Sequence, residues 1–164
     1  MQNPISRWHD VVNLRDYNAL TEILDEHVIF YSPVVYTPQR GKDITLKYLM
    51  AASEVFNASN FKYHKEIIGE TNASLEFTLT IEDTDINGID LITWNEAGLI
   101  TEFKVFIRPL QGVNIIHKMM GNMLESFKNV SRFFVPIFRS RAFLVIGTNF
   151  NWNSSCRNIS YIFL

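Results

Sequence analysis

The sequence predicts an α+β fold, with helices packed on one face of a curved antiparallel sheet. Three observations predict it. Apolar residues recur at helical spacing up to about residue 56, and from Phe61 to Arg108 the period drops to two. Helices first and a strand meander after are the signature of segregated layers rather than alternating βαβ units. The turn Asn95-Glu96-Ala97-Gly98, between two β-branched and aromatic runs, supplies the third: a hairpin with glycine where the backbone needs a positive φ.

Pro4 to Leu14 reads as a first helix, with Ile5, Trp8, Val11 and Val12 on one face. Asp16 reads as the N-cap of a second helix carrying Tyr17, Leu20, Ile23 and Leu24. Val28–Tyr31 is a short strand stopped by Ser32-Pro33, and Pro33 and Pro38 bracket a loop. Gly41-Lys42-Asp43 opens a third helix capped by Asp43, with Ile44, Tyr48, Leu49, Ala52 and Phe56 at helical spacing. Ser74–Ile81 alternates strictly between polar and apolar, and Asn72 and Asp83–Asp85 supply turns, giving about four antiparallel strands. Pro109 ends the sheet and Val113–Phe127 forms the last helix.

The 164 residues support one main domain, placed at 1–127. The charge pattern marks 128–164 as an atypical extension. All 17 acidic residues lie at or before Glu125; from residue 126 onward there are five basic residues, no acidic ones and seven of the 13 phenylalanines. The body therefore carries 10 basic against 17 acidic residues, a formal −7, while the tail carries +5. The stretch Phe133–Gly147 is interrupted by Pro136, Arg139 and Arg141, too short and charged to span a bilayer. An anionic membrane surface, an added edge strand and a misjoined reading frame all remain open for the tail.

A formal net charge of −2 gives no electrostatic footprint for nucleic acid. The single cysteine, Cys156, allows no intrachain disulfide, and the N-terminus has no apolar secretory core, so a cytoplasmic location is expected. His9, His27, His64 and His117 share no short spacing and have no cysteine nearby; no metal site and no cofactor is expected. There is no Gly-rich phosphate loop and no nucleophile elbow.

One residue stands out. Asp90 lies inside the apolar run Ile86, Ile89, Leu91, Ile92, where a carboxylate is costly unless hydrogen-bonded or neutral. Strand parity puts it on one face with Ile86, Ile92 and Trp94. Desolvation there raises its pKa and suits it to act as a general acid or hydrogen-bond donor. The plainer alternative is a structural aspartate satisfied by Trp8 Nε1–H, Ser32 or backbone. Glu76, Glu102, Lys104 and Arg108 fall on the opposite parity and are expected to form cross-strand charge pairs on the outer face.

Phe-Tyr-Ser-Pro (30–33), Pro-Gln-Arg-Gly-Lys (38–42) and Gly-Ile-Asp-Leu-Ile-Thr-Trp-Asn-Glu-Ala-Gly-Leu-Ile (88–100), in this order and spacing, resemble the nuclear transport factor 2-like superfamily. The resemblance is to its SnoaL-like and ketosteroid isomerase-like branches, and it covers roughly residues 5–110. It implies a cone-shaped sheet, a cystatin-like α+β barrel, wrapped around the N-terminal helices and enclosing a pocket. Trp8, Val28, Phe30, Tyr48, Phe56, Leu75, Phe77, Ile92, Phe103, Val105 and Ile107 would line that cone, with Ser32 and Tyr36 as polar supplements at its rim. Many members pair through the outer sheet face, so a homodimer covering Ile89, Leu91 and Phe106 is expected.

Ketosteroid isomerases use an oxyanion-hole aspartate in an Ile-Asp-hydrophobic pattern, which Asp90 matches. Their general-base aspartate directly precedes a proline, and here that position is Ser32. Their oxyanion-hole tyrosine lies 24 residues earlier, and here that position is Trp8. Serine cannot shuttle a carbon-bound proton without a base beside it, and indole has no acid–base chemistry. The sequence thus favours a small apolar ligand bound without established turnover. The alternatives are an isomerase-, cyclase- or hydratase-like enzyme with Asp90 as its sole acid–base group, or an interaction scaffold whose interior is filled.

Overall fold

The computed structural model describes residues 3–56 and 60–134, with side chains described through residue 126. Helix α1 (Ile5–Leu14) buries Ile5, Trp8 and Val11, the face its spacing predicts. Arg15 ends it in the left-handed region at φ +53°. Asp16 then caps α2 (Tyr17–Ile23): its Oδ1 accepts from the backbone N–H groups of Asn18 and Ala19, both at 3.0 Å.

Strand β1 spans Leu24–Tyr31, longer than the Val28–Tyr31 read from sequence. Its first half carries the polar Asp25-Glu26-His27, where the register shifts between Leu24 and Ile29, and Asp25 Oδ1 accepts from His27 N–H at 2.8 Å. Strand β2 (Gln39–Arg40) pairs with β1 and leads into α3 (Lys42–Phe56). Asp43 lies in the first turn of α3 rather than at its cap; Gly41, at φ +102°, turns the chain into the helix.

The predicted meander is present as β3 (Lys62–Ile68), β4 (Asn72–Ile81), β5 (Thr84–Trp94) and β6 (Ile100–Arg108). Glu82 and Asp83, both at positive φ, form the two-residue β4–β5 turn, one residue earlier than Asp83–Asp85 suggested. Gly98, at φ +75°, closes the β5–β6 hairpin, where Asn95 Oδ1 accepts from Ala97 and Leu99 N–H. Helix α4 runs Leu110–Phe134, past the boundary placed at residue 127; the rest of the extension lies outside the described residues.

The sheet order is β2-β1-β6-β5-β4-β3. The α+β class holds, with two refinements. β1 joins β6 in parallel, so the sheet is mixed rather than antiparallel throughout, and β2 and β3 remain as edges, so the sheet is open rather than a closed barrel. One face carries the buried row Leu75, Phe77, Leu79, Ile86, Ile92, Trp94 and Phe103. The other carries Ile67, Ile89 and Phe106, all exposed. Among the described residues no helix is long and apolar enough to cross a membrane, and no three His, Cys, Asp or Glu side chains converge on a metal-sized site.

Candidate functional site

Alternation along β5 buries every second residue from Thr84 to Trp94, and Asp90 falls on the buried side with 6% exposure. Its partner is Tyr63, on β3. Tyr63 Oη donates to Asp90 Oδ2 at 2.6 Å, and Trp8 Nε1–H of α1 donates to Tyr63 Oη at 3.0 Å. Neither Trp8 nor Ser32, the partners considered from sequence, bonds Asp90 directly. Ser32 Oγ instead accepts from Val34 N–H at 3.3 Å.

Direction in this chain is fixed by chemistry. Indole only donates, so the tyrosine oxygen accepts from Trp8 and sends its own proton to Asp90. Asp90 Oδ1 makes no hydrogen bond among the described residues. Burial pushes the Asp90 carboxyl up to about 7, with the Tyr63 bond pulling in the opposite direction. Burial also raises the Tyr63 phenol well above its ordinary value, and the adjacent Asp90 charge reinforces that. Near neutral pH the pair is therefore a carboxyl that titrates and a phenol that stays protonated. When the carboxyl is neutral, Tyr63 occupies Oδ2 and Oδ1 is the oxygen left to carry the proton.

The pair borders a cavity of about 190 Å³. Of the residues named from sequence, Trp8, Phe30, Ser32, Tyr48, Phe56, Phe103, Val105 and Ile107 line it together with Asp90. Five do not. Val28, Leu75, Phe77 and Ile92 belong to the buried core cluster and do not border the cavity. Tyr36 points into solvent, fully exposed, while its loop neighbours Pro33, Val34 and Val35 form the wall.

Further parts of the wall come from residues that the sequence did not place there, among them Arg15 at the end of α1, Tyr17 and Leu20 of α2, Ala52 of α3, Phe61 just before β3, Tyr63 of β3, and Ile116, His117, Met120 and Leu124 of α4. The spacing 116, 120, 124 is an i, i+4 row and was readable as a helix face, though not as a cavity wall. Phe61 stacks on Phe56 with ring centroids 5.7 Å apart, and Trp8 leans on Phe103 at 4.9 Å.

On the opposite face the expected cross-strand charge pairs take a different form. Lys104 Nζ pairs with Glu102 two residues away on its own strand at 2.8 Å. Glu76 and Arg108 are joined through Asn87, which donates to Glu76 Oε1 and accepts from Arg108 Nε. An amide bridges the charges because β5 lies between their strands.

The family model described as the SnoaL-like domain matches residues 5–103. A steroid Δ-isomerase from Pseudomonas aeruginosa has a similar crystal structure, with a TM-score of 0.71 and 26% identity, over 76% of this chain and 91% of that one. An uncharacterized bacterial protein with a cystatin-like fold, from Silicibacter pomeroyi, gives 0.68 and 29% over 83% and 92%. An NTF2-like protein of unknown function from Mesorhizobium loti gives 0.57 and 18% over 64% and 88%, a likeness of fold alone. No curated protein matches the chain.

Proposed function

The chain belongs to the SnoaL-like domain family, and on that premise we propose that it holds a small apolar molecule bearing an acceptor oxygen, seated in the cavity against Asp90. The observation that carries this is the buried Asp90–Tyr63 pair at the edge of an otherwise mostly apolar space. Small-molecule sites pair an apolar lining with a few placed polar groups. A cavity of about 190 Å³ exceeds the roughly 150 Å³ that suffices for a single benzene ring, so the occupant is of one- or two-ring size. A filled-interior scaffold would leave no such space, and the reading disfavours it.

Native mass spectrometry of the purified chain tests the proposal. A small molecule released on denaturation is the expected result, and Ala52→Phe, which projects a ring into the cavity, should abolish it. Ligand retained at equal occupancy by the filled variant would refute this site.

Turnover is the second reading, and the Tyr63 contact favours it. Acid–base sites work best with a group whose pKa lies near the operating pH, and Asp90 at about 7 qualifies. In a β,γ-unsaturated ketone, ionised Asp90 would remove a proton from the carbon between the carbonyl and the double bond and return it to the far alkene carbon. That is an isomerisation with no net change in protons. The Pseudomonas aeruginosa isomerase supports the class, while Ser32 and Trp8 argue for a proton route unlike that of two-aspartate enzymes. Incubating a cyclic enone with the protein in heavy water and following deuterium incorporation separates binding from turnover.

The proposal extends to a homodimer. Ile89 and Phe106 face each other across β5 and β6, 39% and 53% exposed, and a second copy laid on this face would cover them.

A further inference from the structure

We propose that the occupant of the cavity is an elongated apolar acid, its anionic end held at the rim by Arg15 and its other end against Asp90. This rests on the ligand-binding reading above and specifies the class of ligand. The lining is electrically lopsided. Asp90 is the sole acidic side chain among the described lining residues and it is buried; Arg15 and His117 line the same cavity and are exposed. The lining also includes Val11, Val12, Leu20, Ile116 and Met120, none of which can engage a charge.

Arg15 is suited to this task by its neighbours. The ion pairs of the described residues engage Arg7, His9, Lys42 and Lys104, and none engages Arg15. The acid next to it in sequence, Asp16, has its Oδ1 committed to two backbone N–H groups of α2. The left-handed residue that ends α1 is Arg15 itself, so its position is set by the α1–α2 corner rather than by a frayed end.

The two ends also set a length. Trp8 is the α1 residue tied to the acid, since its indole reaches Tyr63 and Tyr63 reaches Asp90. Arg15, the C-cap of α1, follows Trp8 by seven residues, so the two backbone positions stand about 10 Å apart along the helix at 1.5 Å per residue. A molecule spanning the site therefore needs an acceptor oxygen, an apolar stretch on the order of 10 Å, and a terminal anion. A carboxylate matches a planar guanidinium in shape as well as charge.

The test uses a matched pair of probes on the full chain: a phenyl ketone with a carboxylate at the end of a six-methylene chain, and its methyl ester. Calorimetric titration should show the acid binding about fivefold more tightly than the ester, the scale that an exposed ion pair supports. Arg15→Gln should bring that ratio to about one, and Arg15→Lys should keep part of it. Raising ionic strength should shrink the wild-type ratio. Equal affinity for acid and ester in the wild type, or a ratio that survives Arg15→Gln, would overturn the inference while leaving the ligand-binding reading intact. Failure of both probes to bind would overturn the two together.

Discussion

Tyr63 and Asp90 are hydrogen-bonded at 2.6 Å although their strands are not neighbours. β4 lies between β3 and β5, and the cross-strand partner of Tyr63 is Phe77, whose own partner on β5 is Gly88. The phenol thus reaches diagonally across an intervening strand. It can do so because the Phe77 ring lies over Gly88, where a Cβ would come within 2.2 Å of Phe77 Cζ. The Tyr63 ring meets the Phe77 ring edge-on, with planes 85° apart. A missing side chain on β5 makes the contact possible.

Asp90 should make the protein less stable as pH rises. Its folded pKa of about 7 lies above the ordinary 3.8, so between those values the unfolded chain has released the proton and the folded chain still holds it. The stabilisation is complete below the unfolded value and is lost as pH climbs toward 7, at roughly 1.4 kcal/mol per pH unit. Chemical denaturation from pH 4 to 8 should show this decline, and Asp90→Asn should flatten it. A wild type that gains stability over the same range through this residue would contradict a neutral Asp90.

Tyr63→Phe should destabilise by about 1–3 kcal/mol, because it strips a partner from both the Trp8 indole and Asp90 Oδ2. The same change should move the Asp90 titration upward, since the tyrosine bond is what holds it down. Carboxyl-region infrared or carbon NMR titration reads that shift. A downward movement would mean that the phenol does not donate to the carboxylate.

Gly88→Ala should cost stability and do so through the site. The new methyl meets Phe77 Cζ at 2.2 Å and the Phe106 carbonyl at 2.7 Å, so the ring must swing away. Overpacking of this kind costs about 1–3 kcal/mol. A displaced ring pushes Tyr63 off Asp90, so the titration should resemble that of Tyr63→Phe. Unaltered titration in a destabilised variant would show that Phe77 moves without disturbing Tyr63.

Phe106→Lys should dissociate the proposed dimer and leave the fold intact, because the side chain is 53% exposed on the outer face. Sedimentation velocity of wild type and variant measures this. A wild type that sediments as a monomer at tens of micromolar would exclude a standard-size interface on that face.

The buried face of the sheet was legible because strand parity is rigid: Asp90, Ile86, Ile92 and Trp94 fall together in sequence and in space. The caps and turns at Asp16 and Gly98 were equally legible, since each answers a local backbone need. Depth was not legible. Parity assigns Leu75, Phe77 and Ile92 to the same face as Phe103 and cannot say which positions are sealed and which border open space. Tyr63 was missed for a different reason. Its strand reads Lys-Tyr-His-Lys-Glu-Ile-Ile, with polar neighbours and exposed Ile67 and Ile68, so no alternation singles it out. Its reach to Asp90 depends on a register shift between Tyr63 and Lys65 and on the gap at Gly88, both properties of the assembled sheet.

The parallel pairing of β1 with β6 also has a consequence in time. Phe30 and Phe103 are partners 73 residues apart, whereas β3 to β6 are joined by successive short turns. Closing a pair so distant in sequence costs more chain entropy than closing a hairpin, a bias toward docking the α1–β1 segment onto the meander. In the unfolded chain Asp90 faces water and ionises as an ordinary carboxylate; in the folded chain it is buried behind Tyr63, which Trp8 contacts in turn. At pH 6 folding therefore draws a proton from solvent. A pH indicator in weakly buffered refolding solution would register that uptake as the chain completes its fold.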